Sequence, residues 1–123
     1  MSNKLSNEQS GSNEVKTGFK RVCKMSELKE NEGNRFFVDD VDVAVYKIDD
    51  EIFAMSNVCP HQHAALIHSG FIEDGYVTCP AHGWQFNLKT GKMPAGGTGL
   101  KTYPVQLVDG IVYAKVEKQE LDW

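Results

Sequence analysis

The chain has 123 residues, with 13 Lys and Arg, 17 Asp and Glu, and a formal net charge of −4. This length fits one domain around one hydrophobic core, and the acidic balance disfavours nucleic acid and anionic membranes as partners. No apolar run is long enough to span a bilayer, and the N-terminus lacks the pattern of a secretory signal, so a cytoplasmic protein is expected.

The N-terminal part divides into a tail and a first strand. Residues 1–18 are rich in Ser, Asn, Glu and Lys with few apolar side chains, which predicts a disordered polar tail. The folded domain is therefore expected over residues 19–123. A first strand is predicted at Phe19 to Cys23, with Cys23 a small buried core residue. Ser26 to Glu30 predicts one short helical turn.

A three-stranded meander is predicted next. Runs of β-branched and aromatic residues indicate strands at Arg35 to Val38, Val41 to Ile48 and Ile52 to Met55. The acidic pairs between them, Asp39-Asp40 and Asp49-Asp50, are expected to form solvated turns.

The C-terminal half continues in strands. Tyr76 to Thr78 is one short strand, preceded by a solvated turn at Glu73-Asp74. Tyr103 to Leu107 and Ile111 to Val116 should pair as a hairpin across Asp109-Gly110, because Asp-Gly is a strong hairpin signal. The chain is therefore predicted to be an all-β antiparallel sandwich or partial barrel.

Two motifs carry chemistry: Cys59-Pro60-His61 and Cys79-Pro80-Ala81-His82. Each offers one thiolate and one imidazole, and together they supply four metal ligands. Thiolates suit iron–sulfur clusters, whereas imidazole suits iron without adding negative charge. Two Cys and two His also form a tetrahedral structural zinc site, so zinc remains an alternative at this point.

The motifs and the residues after them resemble the Rieske iron–sulfur family. Gly83 to Asn87 with Thr90-Gly91 is similar to the stretch after the second ligand pair of Rieske ferredoxins, and Met93 to Gly97 is similar to their proline-containing third loop. The resemblance extends from about Phe19 to the C-terminus. It implies an antiparallel β-sandwich with an inserted cluster-binding subdomain of two ligand loops.

The same resemblance implies a ligand set. Cys59 and Cys79 would hold one iron of a Rieske-type [2Fe–2S] cluster, and His61 and His82 the other. His63 is an alternative imidazole, but the family spacing favours His61.

Other residues near the motifs are given smaller roles. His68 is expected to be a solvent-facing turn residue, and Trp84 and Phe86 are expected to pack beneath the second loop.

Departures from the high-potential members of the family are informative. Ala64 and Ala81 occupy positions where those proteins carry a disulfide, and Trp84 and Phe86 replace their hydroxyl donors to sulfur. Fewer hydrogen bonds to sulfur stabilise the reduced cluster less, so a potential near the low end of the class, about −150 mV, is expected.

The resemblance implies a single-electron carrier between a reductase and a terminal oxidoreductase. A flavin reductase and a terminal oxygenase are the expected protein partners. The alternative is the small subunit of an assimilatory NAD(P)H-dependent nitrite reductase, whose partner is the large subunit. A structural zinc-binding interaction module is a third possibility, from a different class. The chain is too short to hold a second domain with a mononuclear iron centre, which excludes a complete oxygenase.

Overall fold

The computed structural model describes residues 14–60, 64–80, 83–94, 96 and 99–117. The regular secondary structure of this part of the chain is nearly all strand, with short 3₁₀ turns at Met25–Glu27 and Ile67–Ser69. The strands in chain order are β1 Lys20–Lys24, β2 Gly33–Val38, β3 Val41–Ile48, β4 Glu51–Ser56, β5 Phe71–Glu73, β6 Tyr76–Thr78, β7 Gln85–Asn87, β8 Thr102–Tyr103, β9 Val105–Val108 and β10 Ile111–Ala114. No helix in these described residues is long and apolar enough to cross a membrane.

The strands form three antiparallel sheets. The terminal sheet has the order β1-β10-β9, the central sheet β2-β3-β4-β8, and the loop sheet β5-β6-β7. The chain leaves the central sheet after Ser56 and returns to it at β8. The Ser56 N–H donates to the Lys101 carbonyl at 2.8 Å, so the two ends of the inserted segment meet.

The central sheet is covered on both faces, which explains the continuous apolar run in β3. Val43 and Val45 face a core shared with Val112 and Ala114 of the terminal sheet, which we call the sandwich core. Their neighbours in sequence, Ala44 and Tyr46, face a second core, the loop core, shared with the loop sheet. Successive strand residues point to opposite faces, so a strand buried on both sides loses the alternation of polar and apolar residues.

Two-residue turns fix the register of four hairpins. Both central residues have positive φ at Asp39-Asp40, Asp49-Asp50, Asp74-Gly75 and Asp109-Gly110. Positive φ at both positions is the requirement of a type I′ turn, whose twist matches that of the flanking strands. All four turns are exposed, as predicted for Asp39-Asp40 and Asp49-Asp50. The turn predicted at Glu73-Asp74 lies one residue later, because Glu73 ends β5.

The structure confirms the all-β antiparallel fold and the meander of β2, β3 and β4. The prediction of one strand over Tyr103 to Leu107 was wrong, because the chain divides at Pro104 into β8 of the central sheet and β9 of the terminal sheet. Proline has no N–H to continue a ladder. The last strand ends at Ala114 and not at Val116. Strands β5 and β7 were not predicted.

Part of the predicted tail contacts the domain. The Lys16 N–H donates to the Gln106 side chain at 2.9 Å, and the Gln106 amide donates to the Glu14 carbonyl at 2.8 Å. Residues 1–13 and 118–123 lie outside the described residues, so the disordered tail and the boundary at residue 19 stay predictions.

Candidate metal centre

Two loops that begin at cysteines of the loop core are closed in the same way. The Cys59 N–H donates to the Ala64 carbonyl at 3.0 Å, and the Cys79 N–H donates to the Trp84 carbonyl at 2.8 Å. In both loops the bond therefore runs from a cysteine to the fifth residue after it. In the second loop the Gly83 N–H also donates to the Cys79 carbonyl at 2.8 Å. Each predicted cysteine ligand thus stands at the first position of a closed loop.

Both predicted cysteine ligands are completely buried. Cys59 and Cys79 have 0% of their surface exposed and belong to the loop core, together with Val77 and Phe86. The chain's three cysteines all lie in the described part, and none forms a disulfide. Two thiols are therefore held in one apolar environment.

The predicted histidine ligands are not described. His61, His63, Ala81 and His82 lie outside the described residues, so the structure tests neither the histidine ligands nor the choice of His61 over His63. The donors that it does describe, two thiols at the first positions of matched loops, would supply the sulfur half of a mixed thiolate and imidazole site. The described residues thus fit the thiolate side of such a site.

Residues beside the loops pack as predicted. Phe86 is fully buried in the loop core, and the partly buried Trp84 packs against it. Met93 packs there as well, and the third loop turns at Pro94, where the Gly96 N–H donates to the Met93 carbonyl at 3.0 Å. Ala95 and Gly97 of this loop are not described.

A buried polar network lies below the first loop and was not predicted. Asn57, two residues before Cys59, is fully buried and bonds Asp42 of β3 and His68 of the second 3₁₀ turn. The prediction that His68 faces solvent was wrong, because this side chain is partly buried and bonded through Nδ1. A polar residue at the end of the buried strand β4 was the available signal, but Asn is equally typical of loops.

The third cysteine lies away from these loops. Cys23 is buried in the sandwich core, as predicted. Burial, reinforced by the nearby Glu27 carboxylate, raises the pKa of its thiol to about 11, against the weaker opposite effect of Arg21. It lies in the sandwich core, whereas Cys59 and Cys79 lie in the loop core, so Cys23 stands apart from the predicted metal centre.

A groove of about 600 Å³ also lies away from the loops. It runs along the edges of β4, β8 and β9, and its walls include Ile52, Phe53, Pro104 and Leu107. Neither Cys59 nor Cys79 lines it. The groove is therefore not part of the predicted metal centre.

Comparison with known families identifies the kind of centre. Residues 18–104, more than half of the chain, match the Rieske [2Fe-2S] domain. The chain belongs to the Rieske family. Its cofactor is therefore a Rieske-type [2Fe–2S] cluster, and the resemblance drawn from the two motifs is confirmed. The zinc alternative loses its support.

Relatives of this Rieske protein include ferredoxin subunits of dioxygenases. It is 41% identical over 76 residues to the anthranilate 1,2-dioxygenase ferredoxin subunit of Burkholderia cepacia, covering 60% of this chain and 69% of that protein. It is 39% identical over 103 residues to the 3-phenylpropionate/cinnamic acid dioxygenase ferredoxin subunit of Photorhabdus laumondii, covering 80% and 95%.

The fold is also shared with a solved structure named as an NADH-dependent nitrite reductase small subunit from Mycobacterium tuberculosis. The TM-score is 0.75 with 23% identity, and the match covers 82% of this chain and 96% of the other. At this identity the likeness shows a common fold.

Proposed function

We propose that this Rieske protein is a single-electron carrier that receives electrons from a reductase and passes them to a terminal oxidoreductase. The structural observation that carries the proposal is the pair of buried thiols at the first positions of two matched loops. In this proposal Cys59 and Cys79 bind one iron, and His61 and His82 bind the other. Bound in this way, the cluster supplies reversible one-electron chemistry, with no coordination position left for a substrate.

The chain's own residues would set the reduction potential of the cluster. Loop closure commits the Cys59 and Cys79 N–H groups to carbonyl oxygens, so these two amides do not stabilise sulfur. The replacement of hydroxyl-bearing residues by Trp84 and Phe86 acts in the same direction. We therefore place the reduction potential near the low end of the class, about −150 mV.

The relatives favour an oxygenase system. Both dioxygenase ferredoxin subunits exceed 30% identity, whereas the likeness to the nitrite reductase small subunit rests on the fold. The proposed partners are therefore a flavin reductase and a terminal oxygenase, with a nitrite reductase large subunit as the alternative. We propose that exchange occurs in the cytoplasm.

The cluster and its ligands can be tested together. Protein purified without air should be red-brown, contain about two irons and two sulfides per chain, and give a rhombic EPR signal on reduction. Alanine at Cys59, His61, Cys79 or His82 should abolish this signal. Cys23→Ala is the matched control and should retain it. A colourless protein with one zinc would overturn the proposal.

Partner choice needs a separate experiment. The reduced protein is mixed in a stopped-flow instrument with an oxidised terminal oxygenase or with a nitrite reductase large subunit. The proposal expects one electron per chain to reach the oxygenase and little electron transfer to the nitrite reductase large subunit. Transfer only to the latter would establish the alternative.

A further inference from the structure

Asn57 is the feature of the first loop that needs an explanation. It follows directly on β4, precedes Cys59 by two residues, and has 0% of its surface exposed. Burying an amide side chain costs free energy unless its polar groups are hydrogen-bonded. A fully buried Asn is therefore tolerated here only if both ends of its side-chain amide are hydrogen-bonded.

Each end of the Asn57 amide has a partner on a different element. Its Nδ2 donates to Asp42 Oδ1 on β3 at 3.0 Å, while its Oδ1 accepts the His68 N–H at 2.7 Å. His68 Nδ1 lies 3.1 Å from the same oxygen, and because an amide oxygen only accepts, that nitrogen carries the ring proton. The side chain therefore joins the central sheet to the 3₁₀ turn that follows the loop.

The backbone of Asn57 repeats these connections. Its N–H donates to the Asp42 carbonyl at 2.9 Å, and its carbonyl accepts the Ile67 N–H at 3.2 Å. The residue thus contacts the strand beneath the loop and both residues, Ile67 and His68, at the far end of the loop. The two ends of the segment that contains Cys59 are fastened at one point.

A charged pair holds the Asp42 end of the network. Arg35 Nε and Nη2 donate to the two oxygens of Asp42 at 3.0 and 2.7 Å. The Asp42 side chain is only 15% exposed, so this bidentate pair compensates a largely buried carboxylate. Arg35 therefore holds the Asp42 carboxylate in place as a hydrogen-bond acceptor, and the bond from Asn57 Nδ2 to that carboxylate fixes the position of Asn57 in turn.

We propose that Asn57 is the positioning residue of the first cluster-binding loop, setting the place of Cys59 by fastening both ends of that loop to Asp42 and His68. The inference rests on the proposed function, since it concerns how the cluster is held. Groups that orient metal ligands typically change metal affinity 10- to 100-fold when they are removed. The same range is expected here.

The test compares two destabilised holoproteins. Asn57→Ala removes the network, whereas Val112→Ala, the matched control, opens a cavity in the sandwich core far from the loops. Asn57→Ala should lose its cluster to a chelator at least about tenfold faster than wild type and show shifted EPR g values and a shifted reduction potential. Val112→Ala should lower the melting temperature but leave the rate of cluster loss, the EPR g values and the reduction potential unchanged. An Asn57→Ala protein that also changes only in melting temperature would overturn the inference.

An exchange variant keeps the inference testable if Asn57→Ala does not fold. Asn57→Asp alone sets two carboxylates against each other and should release the cluster quickly. Adding Asp42→Asn restores a donor at position 42 and keeps an acceptor for His68, so cluster retention should return most of the way to wild type. A double variant that is no better than Asn57→Asp, or that does not fold, would overturn the inference. Wild type without any cluster would instead overturn the proposed function.

Discussion

At the scale of single residues, Tyr46 connects the central sheet to the end of the first loop. Its ring is fully buried, and its hydroxyl donates to the Ile67 carbonyl at 2.5 Å and accepts the Gly70 N–H at 3.1 Å. Burial raises the pKa of Tyr46 to about 12, while the bond from Gly70 works against this shift. The hydroxyl thus serves both backbone groups in its neutral form.

Removing this hydroxyl should be costly. Tyr46→Phe removes two hydrogen bonds and leaves the Ile67 carbonyl and the Gly70 N–H with only their bond to each other at 3.0 Å, so the free energy of unfolding should fall by about 1–3 kcal/mol. Urea unfolding measures the change. Tyr113→Phe is the control, because the Tyr113 hydroxyl forms no hydrogen bond within the described part of the chain. Equal losses in the two variants would contradict this account.

One buried thiol and two buried tyrosine hydroxyls make the stability of the fold depend on pH in the alkaline range. The pKa of Cys23 is raised to about 11 and that of Tyr103 to about 12, as for Tyr46, chiefly by burial. Each group keeps its proton to a higher pH in the folded chain than in the unfolded chain. Its contribution to the free energy of unfolding is therefore complete below the pKa of the unfolded chain and is lost as the pH rises through the pKa of the folded chain. The free energy of unfolding should therefore fall above about pH 9. Tyr46→Phe should reduce the steepness of that fall, and a stability that rises from pH 9 to 11 would contradict the assignment.

At the scale of elements, turns and loops require glycine for two different reasons. Gly110, in the turn between β9 and β10, has φ of +78° and open space where a Cβ would lie. Gly91, before the third loop, has φ of +76°, and a Cβ there would overlap the Leu100 carbonyl oxygen. The first position requires only a left-handed backbone, whereas the second also requires close approach of two chain segments.

Alanine at the two positions separates these reasons. Gly110→Ala adds only backbone strain and should cost about 1 kcal/mol. Gly91→Ala adds a backbone clash and should cost about 3 kcal/mol or more. Thermal unfolding of both variants measures the difference. Similar costs would show that the segments around Gly91 and Leu100 move apart without penalty.

The elements also show what the sequence alone could predict. Turn pairs such as Asp109-Gly110 and β-branched runs carry local signals, so the meander and the last hairpin were predictable. Strands β5 and β7 have three residues each, too few for a periodic pattern, and unlike the equally short β6 they contain residues that disfavour strands, Glu73 and Asn87. The change of sheet at Pro104 depends on packing between distant strands. The bonds of Asn57 to Asp42 and His68 join residues 15 and 11 positions apart, so only the folded chain reveals them.

At the scale of the whole molecule, two cores share the central sheet but differ in what stabilises them. The sandwich core joins the terminal and central sheets through packed aliphatic side chains. The loop core contains both predicted cysteine ligands, so part of its stability should come from metal binding. The two cores should therefore respond differently when iron is removed.

Hydrogen exchange after iron removal tests this difference. A chelator should reduce the protection of amides in β5, β6 and β7, while amides of β1, β9 and β10 should stay protected. Mass spectrometry of peptides from the holo and stripped proteins measures both regions. Equal loss of protection in the two regions would mean that the cores unfold as one unit.

The hydrogen bond between Ser56 and Lys101 has a consequence for engineering. Because the segment between them starts and ends on neighbouring strands, it can in principle be exchanged as a cassette without altering the connections of the remaining sheets. A host would need two adjacent antiparallel strands and a surface like that of Ala44, Tyr46 and Met55, on which the cassette rests. A redox centre could then be grafted onto a sheet that never carried one.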